Sequence, residues 1–281
     1  MNNEKFNITA NVSDSISYIS RQCEIYLCDK YHDFTNSNCF SFLRSVRIQN
    51  MSSSDVLDST LKIEFDAPEI KDSLIHISCL DKDKIVEITN NLNFKIDPAA
   101  LYSLTEAKLV NVSFSLFNKD NELLVSRVYP LHLLPLEQLS LPNKSASFLS
   151  EMLSCFVTPN DDYVIELAGK ATKILYEDEK NSFLGYQAND PNYVVKQLNA
   201  IYKAVRNEGI AYMTPPASFE KIFQRVRLPQ NVLKTKQGTC LDLAILMASV
   251  IEHVGIHPVV FLLNKHAFVG AWLEDGLSAN T

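Results

Sequence analysis

The sequence contains few glycines, and its first 168 residues contain none. The seven glycines of the 281-residue chain are Gly169, Gly185, Gly209, Gly238, Gly255, Gly270 and Gly276. Neither a G-x-x-x-x-G-K-[ST] loop nor a G-x-G-x-x-G turn occurs, which excludes the glycine-rich loops that cradle nucleotide phosphates. The uneven distribution also indicates that the chain changes character partway along.

An excess of basic charge is lacking as well. The chain has 26 Lys and Arg against 33 Asp and Glu, for a formal net charge of −7. Its densest basic stretch, Lys221 to Lys236, contains five Lys or Arg in 16 residues. Because proteins neutralise phosphates with clustered Lys and Arg, we expect no direct nucleic-acid partner.

Long apolar runs are absent too. The most apolar run, Leu241 to Val250, is too short to span a bilayer. The N-terminal residues MNNEKFNITANVSDS contain neither the basic nor the apolar region of a signal peptide. These observations predict a cytoplasmic protein with no membrane partner.

The six cysteines do not form a recognisable metal motif. Four potential ligands cluster with the spacing C-x4-C-x3-H-x6-C, namely Cys23, Cys28, His32 and Cys39. The C-x-x-C pair typical of structural zinc sites is missing from this spacing. We therefore predict free thiols in a reducing compartment, no metal and no cofactor.

Residues 1–137 have the pattern of an all-β domain. Apolar and polar residues alternate in several short segments, which are 61–65, 74–77, 85–88, 110–116 and 123–133. This period of two is typical of half-buried antiparallel strands. Asn, Asp and Ser occupy the turns, as in Asp81–Asp83 and Asn118–Asn121, and we expect them to replace glycine there. The pattern predicts an immunoglobulin-like β-sandwich.

Beyond a Pro-containing linker at 134–143, apolar residues recur every three or four positions. This spacing predicts helices over 146–156, 161–176 and 194–205, with Asn160 or Asp161 as the candidate cap of the second and Pro191 suited to a first helical position. A short helix is predicted over 231–236. We therefore divide the chain into a β-sandwich at 1–137 and an α+β domain at 138–281.

A buried helix is predicted to begin at Cys240. Thr239 and Asp242 match a capping box, and Gly255 is a suitable stop after a helix that ends at Val254. The helix is apolar on almost every side, which is typical of a central buried helix. Cys240 would then lie at the positive end of the helix dipole, where a thiolate is stabilised.

The segment after this helix can return to Cys240. An apolar strand at 258–263, a turn at 264–265 and a second strand at 267–273 would bring His266 to the level of the helix start. Cys with His is the minimum set for nucleophilic acyl transfer. Asp242 is interpreted as a cap. His253 and His257 are excluded as partners because they flank the opposite end of the helix.

These residues carry a family resemblance. The chain resembles the transglutaminase-like branch of the papain-like cysteine hydrolases in five features. These are the motif G-T-C-L-D-L-A, the helix that follows it, Gly255, the apolar strand, and H-A-F with a nearby Trp. The resemblance implies that a Cys-bearing helix packs on an antiparallel sheet, with Cys240 as nucleophile and His266 as general base. Residues 150–275, with the blocks 215–219, 225–229 and 266–270, are more closely similar to a bacterial subfamily. Its members lie at the N-terminus of very large helicase-bearing proteins of unknown function, follow a β-sandwich, and in some cases are linked to phage defence.

The resemblance also implies a third catalytic residue, an Asp, Asn or Glu on the strand after the His strand. The downstream acids are Glu274 and Asp275, and Asp275 lies about 30 Å along an extended strand from His266. We therefore expect the third residue beyond Thr281, in a domain truncated at its C-terminus. For the oxyanion, the Cys240 backbone N–H and the Gln237 side chain are the candidate donors.

The sequence thus favours a cysteine hydrolase or acyltransferase, protease-like or transglutaminase-like, that acts on an amide or peptide bond. Its partners would be a protein or peptide substrate and the remainder of a larger polypeptide or complex. The alternative is a non-catalytic docking or regulatory module of a helicase-type machine.

Overall fold

The computed structural model describes residues 5–17, 43–89, 95–140, 152–214, 223–263 and 266–276. The chain divides into two compact units, Met1–Asn143 and Lys144–Thr281. Across the described ranges, no helix is both long enough and apolar enough to cross a membrane.

Strands dominate the first unit. They are β1 (Phe6–Val12), β2 (Ser15–Ile16), β3 (Leu43–Asn50), β4 (Val56–Phe65), β5 (Ser73–Leu80), β6 (Ile85–Ile88), β7 (Lys108–Phe117), β8 (Leu123–Leu133) and β9 (Gln138–Ser140), with one short helix, α1 (Pro98–Tyr102). One sheet has the order β2-β8-β7-β4-β5 and another has the order β1-β3-β6. Apart from the parallel β2–β8 pair, the strands of these sheets are antiparallel. The five segments predicted as strands are confirmed.

Both sheets contribute to one hydrophobic core. Along β7, alternate residues Val110, Val112 and Phe114 are fully buried, as a period of two requires. Ile8 and Ile48 of the three-stranded sheet belong to the same cluster. At roughly 25 cal/mol per Å² of apolar surface, each such side chain contributes about 1.5–3 kcal/mol to folding.

The turns of this unit use Asp and Asn in place of glycine, as predicted. Asp83 and Asn121 have φ angles of 58° and 61°, in the left-handed region. The Asn118 side chain accepts hydrogen bonds from the N–H groups of Asp120 and Glu122, at 3.0 and 2.8 Å. This side-chain acceptor lets the backbone reverse direction without glycine.

Strand β3 escaped prediction because a bulge interrupts its alternation. Asn11 pairs with Ser45 and Val12 with Leu43, so Arg44 has no partner in β1. Because of the bulge, two residues instead of one lie between the buried Leu43 and the next buried residue, Val46. The two-residue period is therefore limited to the end of β3, where Val46, Ile48 and Asn50 are buried.

The second unit combines helices with a hairpin. Its elements are α2 (Asp162–Glu179), α3 (Pro191–Asn207), β10 (Ala211–Tyr212), β11 (Phe223–Arg225), α4 (Pro229–Thr235), β12 (Gln237–Gly238), α5 (Cys240–His253), β13 (Pro258–Leu263) and β14 (His266–Ala271). Asp161 caps α2 and Pro191 opens α3, as predicted. Helix α4 begins at Pro229, before the predicted 231, because proline is also favoured at its first position. Of the predicted 146–156 helix, only the end lies within the described residues.

Helix α5 lies at the centre of this unit. Its buried residues come from nearly all its sides, and it packs against α2, α3, α4 and both strands of the hairpin. It ends at His253, with Val254 as its C-cap, and Gly255 follows with a φ of 78°. The predicted helix and its glycine stop are confirmed. The two-stranded antiparallel sheet β13–β14 packs its inner face on α5.

Candidate functional site

Cys240 is the first residue of α5, and a capping box encloses it. The Thr239 hydroxyl accepts from the Asp242 N–H at 3.3 Å, and the Asp242 carboxylate accepts from the Thr239 N–H at 2.9 Å. In the part of the chain that the structure describes, the N–H groups of Cys240 and Leu241 have no acceptor. The half-buried thiol of Cys240 therefore adjoins two unused donors and the positive end of the helix dipole.

A buried ion pair anchors this helix start. Asp242 is 1% exposed, and its carboxylate accepts from the Arg227 guanidinium at 2.9 Å and from the Arg227 N–H at 2.8 Å. With the bond from Thr239, this makes three donors for one carboxylate. Asp242 is thus a structural cap, as predicted, and it fixes the 225–228 segment against the first turn of α5.

Tyr212 lies beside Cys240, and nothing in the sequence indicated it. Strands β10 and β12 pair in parallel, with Tyr212 opposite Gly238, two residues before Cys240. The pKa of Tyr212 is raised, mainly by the charge of the Cys240 thiolate, then by desolvation and by a hydrogen bond to the sulfur. A two-residue strand has no periodicity, so this pairing leaves no signal in the sequence.

His266 lies at the hairpin end that is predicted to return to Cys240. It pairs with Leu263 at the first position of β14, and residues 264–265, the predicted turn, lie outside the described residues. Ala267 is buried and Val269 packs against the α5 core, so alternation puts His266 on the opposite face with Phe268. His266 is exposed there, and no hydrogen bond joins it to Cys240, both of which the structure describes.

Gln237, the candidate side-chain donor, is exposed on β12. It pairs with Ala211, whereas the next residue, Gly238, pairs with Tyr212. Because successive side chains on a strand point to opposite faces, Gln237 and Tyr212 lie on opposite faces of the β10–β12 pair.

Known proteins provide one family-level similarity. Residues 159–271 match a family described as a transglutaminase-like domain. This range includes Cys240, His266, Tyr212 and Gln237. No curated protein matches the chain. The crystal structure of a family 76 glycoside hydrolase from a bovine Bacteroides thetaiotaomicron strain aligns with 48% of this chain and 22% of its own, at 6% identity and a TM-score of 0.16. A TM-score this low supports no inference about fold or function.

A second polar cluster lies at the other end of the hairpin. The Tyr186 hydroxyl donates to the Trp272 carbonyl at 2.9 Å and accepts from the His257 N–H at 3.0 Å. His257 Nε2 lies 3.4 Å from an Asp275 oxygen, so Asp275 contacts His257, at the end of the hairpin away from His266. Burial raises the pKa of Tyr186, which stays a neutral donor. The Tyr186 hydroxyl thus joins the residue before β13 to the residue after β14.

No candidate metal centre occurs within the described ranges, where no three His, Cys, Asp or Glu side chains converge. The Cys23, Cys28, His32 and Cys39 cluster lies outside the described residues. Cys79 donates to the Asp81 carboxylate at 3.2 Å, and this bond raises the pKa of the thiol. Cys79 therefore provides an internal reference for a thiol that is less ionised than an ordinary cysteine, and the exposed Cys155 provides a second reference.

Proposed function

We propose that the second unit is a cysteine-nucleophile hydrolase or acyltransferase that acts on an amide or peptide bond. His266 would accept the thiol proton, and the Cys240 sulfur would attack the carbonyl carbon, forming a C–S bond and an oxyanion. Collapse of the oxyanion would break the C–N bond, and His266 would pass the proton to the leaving amine. Water or a second amine would then attack the thioester and break the C–S bond, and its proton would return through His266 to the sulfur.

The position of Cys240 carries this proposal. A thiol at the first residue of a capped, buried helix lies beside unused N–H donors, which can bind the oxyanion formed when the sulfur attacks a carbonyl. The transglutaminase-like match over 159–271 supports the same reaction class. The exposed position of His266 leaves its ring accessible to substrate.

One observation favours the alternative, a non-catalytic docking or regulatory module. His266 shares the outer face of the hairpin with Phe268 and lies on the side away from α5. In that alternative the hairpin face contacts a partner, and Cys240 is a half-buried structural thiol.

The wider setting is part of the same proposal. The first unit, whose two sheets share one core, would be an immunoglobulin-like β-sandwich over 1–137, followed by the α+β domain at 138–281. We place the protein in the cytoplasm, with a protein or peptide substrate and without direct nucleic-acid or membrane partners. It would form part of a larger bacterial, helicase-associated polypeptide, with a role in phage defence.

Alkylation of the intact chain by iodoacetamide between pH 5 and 10, mapped by peptide mass spectrometry, tests the active-dyad proposal. We expect Cys240 to be alkylated faster than Cys155 and Cys79 at neutral pH, because the thiolate is the reactive species. His266→Ala should slow the alkylation of Cys240. The matched control is His257→Gln, at the other end of the same hairpin, which should leave the Cys240 profile unchanged.

Two results would overturn the proposal. In the first, iodoacetamide labels Cys240 no faster than it labels Cys79 and Cys155 at every pH in the range. The other is an identical profile in the wild type and in His266→Ala. Either result would leave the docking module as the better description.

A further inference from the structure

We propose that the Tyr212 hydroxyl is the side-chain donor that, together with the Cys240 backbone N–H, stabilises the oxyanion formed when Cys240 attacks a carbonyl. This inference rests on the function proposed above and deepens it. It assigns to strand β10 a task that no motif in the sequence indicated.

Backbone pairing places Tyr212 at the helix start. The Ala211 N–H donates to the Lys236 carbonyl and the Met213 N–H donates to the Gly238 carbonyl, both at 2.8 Å. These bonds hold Tyr212 opposite Gly238, at a spacing of about 4.8 Å between strands. Cys240 follows Gly238 after a single residue.

The face of the strand pair decides where the Tyr212 ring points. A Cβ added at Gly238 would lie 3.4 Å from the Asp242 Cβ, so the Gly238 side faces the first turn of α5. Residues opposite each other in paired strands share a face, so Tyr212 projects toward the same turn. Gln237 projects to the other face, which favours Tyr212 over Gln237 as the donor.

A contact of the next residue, Met213, also holds this segment to the same turn. Arg227 Nη2 lies 4.0 Å from the Met213 sulfur, and the guanidinium is paired with the buried Asp242 carboxylate. Two interactions therefore hold β10 next to α5. One is the contact of Met213, the residue after β10, with Arg227, and the other is the pairing of Tyr212 with Gly238. A donor held by the scaffold needs little reorganisation during the reaction.

The protonation state of Tyr212 suits a hydrogen-bond donor. The pKa of Tyr212 is raised, with the charge of a Cys240 thiolate as the largest cause, so the phenol keeps its proton at neutral pH. The carbonyl oxygen of a thiol adduct is bonded to the same carbon as the sulfur, so a hydroxyl held beside Cys240 lies near the position that this oxygen takes. At 58% exposure the Tyr212 ring lies at the surface, where substrate has access.

Two reagents separate this role from a general effect on Cys240. Acetylation by p-nitrophenyl acetate passes through an oxyanion: the C–S bond forms, the C–O bond breaks and p-nitrophenolate leaves. Alkylation by iodoacetamide displaces iodide and forms no oxyanion. We expect Tyr212→Phe to lower the acetylation rate of Cys240 by about 10²-fold. The alkylation rate and its pH profile should change less than about threefold.

The matched controls are Gln237→Ala and Tyr202→Phe, which removes the hydroxyl of an exposed tyrosine on α3. Both should acetylate like the wild type, and Cys240→Ser supplies the background rate. Equal acetylation of wild type and Tyr212→Phe would overturn the assignment, and so would a parallel loss of both reactions. Loss in Gln237→Ala alone would assign the donor to Gln237. These outcomes differ from failure of the proposed function, in which wild-type Cys240 itself reacts no faster than Cys79.

Discussion

The two units place different residues at the positions where the backbone has a left-handed conformation. In the first unit the left-handed positions are occupied by Asp58, Asp83 and Asn121, and in the second by four glycines together with Lys180, Asn189 and Lys236. Gly185 shows why glycine is needed there: an added Cβ would lie 3.0 Å from the Gly255 carbonyl. At Gly209, Gly255 and Gly276 an added Cβ would have no atom within 4 Å, so the left-handed backbone angle alone favours glycine there. Only Gly185 adds a packing requirement to that backbone requirement.

The units also differ in what they bury. The first unit encloses a neutral amide, Asn50, whose side chain donates to the carbonyls of Ser54 and Leu80 and accepts from the Ser52 N–H. The second unit also encloses a neutral amide, Gln197, and in addition a charge, the Asp242 carboxylate paired with Arg227. The Asn50 amide joins the end of β3 to the end of β5, whereas the ion pair adjoins the first turn of α5, where Cys240 lies. Among the described residues, the buried charge thus coincides with the candidate site.

The largest expected effect comes from breaking this buried pair. Arg227→Met leaves the Asp242 carboxylate, 1% exposed, without its cation, and should cost about 3–5 kcal/mol of unfolding free energy. Urea unfolding followed by circular dichroism, which reports on the strands of the first unit as well as on the helices of the second, would measure it. The matched change in the first unit is Arg47→Met, which breaks the exposed pair with Glu87 and should have no measurable effect.

A double variant tests whether the uncompensated charge causes the loss. Arg227→Met combined with Asp242→Asn should be more stable than Arg227→Met alone, because no buried charge is then left unpaired. Equal stability of the single and double variants would contradict the contrast drawn between the two units.

A smaller effect on the free energy of unfolding is expected from substitutions at the left-handed turn positions of the two units. Gly255→Ala should cost roughly 1 kcal/mol, because its φ is 78° although no atom lies within 4 Å of the added Cβ. Asn121→Ala should cost a similar amount, and Asn121→Gly should be close to neutral. Chemical unfolding at pH 7 would measure all three. A neutral Gly255→Ala would show that the second unit does not need glycine at this turn.

The smallest effect concerns pH and Glu208, which is 10% exposed between Lys170 and Lys236. Burial acts to raise the pKa of Glu208, but hydrogen bonds from both lysines outweigh it, so the pKa lies below its ordinary value of 4.5. A lowered pKa stabilises the fold above the ordinary value, and this stabilisation is lost as the pH falls through the folded pKa. Glu208→Gln should therefore cost roughly 0.5–1 kcal/mol at pH 7 and almost nothing near pH 3.

Unfolding curves of wild type and Glu208→Gln at several pH values would measure this difference. Glu166→Gln, at an exposed i,i+4 partner of Lys170, is the control and should show little pH dependence. A penalty that persists unchanged at pH 3 would show that packing, not charge, holds Glu208.

Local patterns were sufficient for much of the fold. Strands 85–88 and 123–133 were predicted with their observed bounds, since alternation depends on neighbouring residues alone. The capping box of Thr239 and Asp242 spans one helical turn and was equally visible. The partner of Asp242 was not, because Arg227 lies 15 residues upstream and many arrangements of the intervening chain would match the same sequence.

The sequence by itself determined where Cys240 lies: a capping residue, an apolar run and a glycine stop define a helix through contacts within a few residues. Only the tertiary structure decided what surrounds the thiol. Tyr212 reaches it through a strand pair formed across some 26 residues, and the pairing of Leu263 with His266 sets which face of β14 carries the histidine. Such choices depend on packing between distant segments, and a shift of one residue in pairing would reverse the face without changing the local pattern.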